Sequence, residues 1–248
     1  MKKELFYKII ILQQCLMLFI SLDTAFSIPD VKEISKDYII DSNVAKEEIK
    51  VKESVFDELN SYQKESKQVI GLIKILDSDI NSTINQGKDN EYYLNHNYKN
   101  DYFKGGTVFM DYRNNINSKY MLLYGHNSKY RTLPFKKLER YYDYDYYKDH
   151  KYIMLVFNKE IKYYEVFSVY VEVKDWTYYN KINFKSNDKF IKQMNKYKNK
   201  SIYKTNVEIN KNDKVLILQT CCHKKEYEKY ENKFLLIYAK EINKGDLK

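Results

Sequence analysis

Arginine is almost missing from this chain of 248 residues. Only Arg113, Arg131 and Arg140 are present, although the formal net charge is +9. A nucleic-acid surface clusters its basic residues and exploits arginine's planar fork. Here lysine carries the charge, spread along the chain and interleaved with acid, so no nucleic-acid partner is expected. The charge reads instead as a solvated basic surface with some attraction for an anionic envelope polymer. Cysteine is equally sparse, at three residues. Cys15 lies in an N-terminal apolar segment, and a bond between the neighbours Cys221 and Cys222 would strain the backbone between them. No disulfide framework follows. Neither a CxxC pair nor an HExxH pattern offers a metal site, and no cofactor is implied. Proline (2) and glycine (6) are scarce, whereas tyrosine (27) and phenylalanine (12) are abundant. Tyrosine favours strands, so the composition leans to β.

Long hydrophobic runs are also rare. One extends from Ile9 to about Ala25, broken by Gln13-Gln14 and preceded by Lys2, Lys3 and Lys8. A positive flank before an apolar run is an export signal. Ala25-Phe26-Ser27 is an acceptable small-x-small cleavage site; alternatively the run is retained as a short anchor, its length marginal for a span. Residues 1–27 therefore read as a signal peptide or signal anchor, 28–45 as an extracytoplasmic tether, and 46–248 as the folded domain. This places the domain at the outer face of the cytoplasmic membrane, joined to it through the N-terminal segment.

From about Ala45 to Val69 the pattern is helical, with Val55, Leu59 and Tyr62 on one face. Short β-like runs follow: Leu72–Leu76, Thr107–Asp111, Tyr120–Tyr124, Tyr152–Asn158, Tyr163–Val173, Val215–Thr220 and Phe234–Ala239. Seven or eight short strands with few helices point to a closed or nearly closed barrel. Lys136–Tyr142 and Asn187–Tyr197 are helical candidates; in the second, Phe190, Ile191 and Met194 share a face.

The chemistry centres on Val215-Leu216-Ile217-Leu218-Gln219-Thr220-Cys221. Alternation puts Val215, Ile217, Gln219 and Cys221 on one face. Cys221 sits where the strand gives way to a polar loop, a rigid perch that suits a nucleophile, although a free cysteine is also a common buried hydrophobe. A thiol nucleophile needs a partner, usually histidine. His126 is the best placed of four, because it too follows a strand end, Tyr120–Tyr124 and Gly125. His223 is too near in sequence for good geometry. His150 has a surface context, and His96 a packing one.

Several stretches resemble class B sortases, cysteine transpeptidases of Gram-positive cell surfaces. They are Gln86-Gly87-Lys88-Asp89-Asn90-Glu91-Tyr92-Tyr93-Leu94-Asn95-His96, Phe109-Met110-Asp111-Tyr112-Arg113-Asn114, Tyr124-Gly125-His126-Asn127, Tyr147-Lys148-Asp149-His150-Lys151-Tyr152, and Leu218-Gln219-Thr220-Cys221. The resemblance spans about residues 50–242. It implies an eight-stranded closed β-barrel with an N-terminal helix and a helix before the cysteine strand. It also implies Cys221 as nucleophile and His126 as acid and base. The substrates would be a secreted protein with a C-terminal Asn-Pro-x-Thr type motif and an acceptor amine of peptidoglycan or its lipid-linked precursor. Asn90 and Leu94 fall in the stretch that walls the family's substrate groove, and Gln219, on the face of Cys221, would narrow the groove or donate to it. The family also places an arginine on the strand after the cysteine, and this chain has none there. Lys233 is one residue from that slot, which Phe234 occupies, and Arg131, in the loop after His126, is the other cation at hand. The missing arginine keeps a second reading open, a non-catalytic binder of sorting motifs. A third, a thiol peptidase that releases product to water, shares every residue with the transpeptidase and differs only in the acceptor.

Overall fold

A computed structural model describes residues 52–158, 160–175 and 179–247. The apolar run at Ile9–Ala25 and the tether at 28–45 lie outside the described residues. Among the described residues, no helix is long and apolar enough to cross a membrane.

Eight strands close into a barrel: β1 Val69–Ile75, β2 Asn81–Asn85, β3 Phe109–Met110, β4 Tyr120–Tyr124, β5 Tyr152–Phe157, β6 Glu160–Glu172, β7 Val215–Cys221 and β8 Phe234–Ile242. Around the barrel they run β1-β2-β3-β4-β7-β8-β6-β5. The pairs β2–β3 and β4–β7 are parallel, and the others are antiparallel. Each strand contributes alternate residues to one inner cluster, including Ile73, Ile84, Met110, Leu123, Leu155, Val166, Leu218 and Ile237. Closure removes the exposed edges that such apolar strands would otherwise present.

Two outer faces are covered by helices. Helix α1 (residues 52–65) lays Val55 and Leu59 over Leu72, Met154 and Val156. It ends four residues before the sequence pattern ends. The chain turns through Ser66 and enters β1 at Val69, so Gly71 lies inside a strand rather than before one. Helix α2 is short (Tyr144–Asp149) and is capped by Asp143, whose side chain accepts from Asp145 N. Helix α3 (Asn187–Lys198) is capped by Ser186 and buries Phe190, Met194 and Tyr197 against β4, β7 and β8. Burying each of these side chains is worth about 1.5–3 kcal/mol. Many of the tyrosines gather under α3, where Tyr238 stacks on Tyr170 and Tyr197.

The structure departs from the sequence pattern in three places. β2 has the polar sequence Asn81-Ser82-Thr83-Ile84-Asn85, which carries no apolar alternation; pairing with β1 and β3 makes it a strand. Pro134–Tyr142 is a 3₁₀ helix rather than an α-helix, with Phe135, Leu138 and Tyr141 buried at its threefold period. The Tyr- and Asp-rich stretch that follows, for which the apolar pattern gives no element, folds as α2.

Candidate active site

β4 and β7 run parallel, in a register that pairs Leu122 with Ile217, Leu123 with Leu218 and Tyr124 with Gln219. Cys221 ends β7, and His126 follows the end of β4 by two residues, so both lie at the same end of this parallel pair. The strand ends are stitched together. Gly125 N donates to the Gln219 carbonyl at 3.1 Å, and the Thr220 hydroxyl, fully buried, donates to the Gly125 carbonyl at 2.7 Å. A glycine is needed at 125 because a Cβ there would sit 2.6 Å from the Phe135 ring.

Cys221 is half-buried and closes β7 on the face of Val215, Ile217 and Gln219. Its carbonyl accepts from Asn127 Nδ2 at 2.9 Å, and the same amide donates to Glu139 at 2.7 Å. Asn127 thus fixes the backbone of Cys221, a contact its sequence position did not announce. Burial pushes the Cys221 thiol above its ordinary pKa, and the positive charge of Lys233 pulls it partly back. In the β7–β8 hairpin Phe234 lies directly opposite Cys221. Lys233 is the next residue out; its carbonyl accepts from Cys222 N at 2.9 Å, and its Nζ donates to the Tyr230 carbonyl at 3.0 Å. The other cation considered for the arginine slot is elsewhere: Arg131 is exposed, with its guanidinium over the Phe103 ring at 5.5 Å.

His126 makes its ring hydrogen bond to the backbone of Leu94. Its Nε2 lies 2.7 Å from the Leu94 carbonyl. A carbonyl only accepts, so Nε2 carries the proton and, in the neutral ring, Nδ1 is the base. Leu94, at the end of a 3₁₀ turn over Tyr92–Leu94, presents its side chain to solvent. Asn90 is committed at both ends of its amide: Oδ1 accepts from Tyr112 N and Nδ2 donates to Asp111, each at 3.0 Å. Asp111 is fully buried and also accepts from Arg113 Nε (2.8 Å), Arg113 Nη2 (2.7 Å) and the Tyr124 hydroxyl (2.8 Å). Burial alone would raise its pKa, but the hydrogen bonds from Arg113 and Tyr124 outweigh it and hold the carboxyl below its usual range. Through Tyr124, which pairs with Gln219, this network braces the strand end that carries Cys221.

The other histidines and Cys222 are structural. His96 stacks on Tyr92 and His150 on Tyr146, while His223 Nε2 donates to the Asn127 carbonyl at 3.2 Å. Cys222 is fully buried and accepts from the Tyr142 hydroxyl at 3.1 Å. Among the described residues, no group of three or more His, Cys, Asp or Glu is arranged to hold a metal.

Tyr179 joins the site without any signal in the sequence. It is fully buried, its ring lies against Phe234 at 5.9 Å, and its hydroxyl has no hydrogen-bond partner among the described residues. Burial, and then the nearby Cys221, push its pKa well up, so it is a neutral donor. No periodicity marks it, because it lies in the irregular segment between β6 and α3.

No family model matches the chain. Two relatives do. Sortase B of Listeria monocytogenes is 38% identical over 180 residues, covering 71% of each chain. Sortase B of Staphylococcus aureus is 33% identical over 177 residues, covering 69% of this chain and 70% of the relative. The chain belongs to the sortase B family. A Staphylococcus aureus sortase B–substrate complex superposes with a TM-score of 0.68 at 26% identity, covering 88% of this chain and 99% of that one. The closed barrel with its few helices is the sortase B fold, and the protein is a sortase-type cysteine transpeptidase of class B.

In this sortase the hairpin offers lysine near the thiol. We expect Lys233→Ala to move the pH midpoint of Cys221 alkylation to higher pH, because it removes the charge that lowers the thiol's pKa. Lys233→Arg should restore it. An iodoacetamide rate profile from about pH 6 to 10, spanning the ordinary thiol range, checks this.

Proposed function

We propose that the protein cleaves an Asn-Pro-x-Thr type sorting motif near the C-terminus of a secreted protein and transfers the acyl group to an amine of peptidoglycan or its lipid-linked precursor. The observation that carries this reading is the half-buried Cys221 thiol at the end of β7, with His126 at the end of the parallel neighbour β4. The Cys221 thiol gives its proton to the His126 ring, and Sγ attacks the threonine carbonyl carbon. The carbon–nitrogen bond breaks, a thioester forms, and His126 supplies a proton to the leaving amine. The incoming amine then attacks the thioester, gives a proton to His126, and the thiolate leaves. Lys233 stabilises negative charge on sulfur and on the carbonyl oxygen. Gln219 and Leu94 border the substrate, and Asn90 positions the wall through Asp111. The Tyr179 hydroxyl, buried with no hydrogen-bond partner among the described residues, supports a polar substrate group entering beside Cys221, since a buried hydroxyl left unpaired is costly.

His126 must leave the Leu94 carbonyl to serve the leaving group, and apo geometry of this kind commonly tightens only with substrate bound. We place the catalytic domain outside the cytoplasm, attached through the N-terminal apolar run. The test uses the chain from residue 28 with a fluorogenic Asn-Pro-x-Thr peptide, with and without an amine acceptor. Acceptor-dependent conjugate is expected. Hydrolysed product alone would indicate a thiol peptidase, and binding without cleavage across motif variants would indicate a non-catalytic receptor.

A further inference from the structure

The lysines that look evenly interleaved along the chain are not evenly placed. Residues 181–200 hold seven lysines and a single acid, Asp188. This segment carries +6 of the chain's formal +9, and the remainder is nearly balanced. Lys198 and Lys200 form ion pairs with Glu208 and Glu172. Lys181, Lys185, Lys189, Lys192 and Lys196 are exposed. Three of these lie along α3, where residues 189 to 196 span about 10 Å of helix axis. Between the lysines is an open hollow whose apolar lining includes Phe184, Ile191 and Tyr197. The chain leading into the hollow passes Tyr179, which lies near Cys221, and Asn180, whose carbonyl accepts from Arg113 Nη2 at 3.2 Å.

We propose that this face docks a flexible linear polyanion, a polymer with closely repeated phosphate groups. Charge complementarity is the argument: a row of exposed ammonium groups makes many weak contacts and releases counterions, which suits an extended anion better than a compact one. A bilayer is the poorer fit, because no large hydrophobic side chain of this segment is exposed for insertion. Single-stranded nucleic acid is disfavoured because no aromatic ring of the segment is exposed to stack a base, and the segment lacks arginine. The inference does not depend on which peptide the enzyme cleaves.

Long-chain inorganic polyphosphate is the probe, titrated against the chain from residue 28 at about 0.1 M salt. The variant Lys189→Glu/Lys192→Glu/Lys196→Glu is compared with Lys64→Glu/Lys67→Glu/Lys211→Glu, which changes net charge equally at scattered exposed sites. The first should weaken binding about tenfold or more and flatten its salt dependence, and the second should do little. Circular dichroism verifies folding, and lysine-to-glutamine versions serve if a reversal fails to fold. Equal weakening in both variants, or no binding by the unaltered protein, overturns the proposal. So does tighter binding to phosphatidylglycerol vesicles or to single-stranded DNA than to polyphosphate.

Discussion

Cys221→Ala should abolish peptide cleavage and acyl transfer while leaving the fold intact. The side chain is half-buried at a strand end, and the alanine removes one sulfur from a site lined by Phe234 and Gln219. No other thiol of the described domain can replace it: Cys222 is fully buried and held by Tyr142. Removing a covalent nucleophile typically costs on the order of 10⁶ in rate, below the detection limit of a fluorogenic assay. The variant should still bind the sorting peptide. Isothermal titration and mass spectrometry check both halves of this expectation: binding retained, and no thioester adduct on the protein. Residual acceptor-dependent product from Cys221→Ala would remove Cys221 from the mechanism.

His126→Ala should lower turnover by about 10²–10⁴, the usual worth of a positioned acid and base. Its effect on the free thiol should be small. His126 bonds to the Leu94 carbonyl, and the charge acting favourably on the thiol is that of Lys233. Alkylation of Cys221 should therefore change by no more than about twofold in His126→Ala, well within the effect of a modest pKa change. The two readouts separate a proton-transfer role from a role in activating the resting thiol. A large, parallel loss of alkylation would show that His126 already pairs with Cys221 before substrate arrives. Added imidazole should recover part of the turnover lost in His126→Ala, since the missing function is a proton carrier.

The strand-end positions of Cys221 and His126 were legible because their apolar strands give way to polar loops, and strand ends are visible in a pattern. So were helix α3, whose buried residues recur at helical spacing, and seven of the eight strands. β2 was not, because Asn81, Ser82 and Asn85 have no strand-like alternation and only pairing on both sides stabilises them. Tyr179 and Asn127 were not, because one lies in an irregular segment and the other acts through a backbone contact 94 residues away.

The order of apolar runs, the position of Cys221 at the end of one of them and the absence of a following arginine are properties of the sequence by itself, since they need only spacing and residue type. Which cation lies near Cys221 is not. That depends on the hairpin register that puts Phe234 opposite the thiol and Lys233 one residue out, while Arg131 rests on Phe103. The parallel pairing of β4 with β7, which brings together residues 95 apart in the chain, likewise exists only once the barrel closes. Burial and charge proximity set the chemistry here, and both are products of tertiary packing.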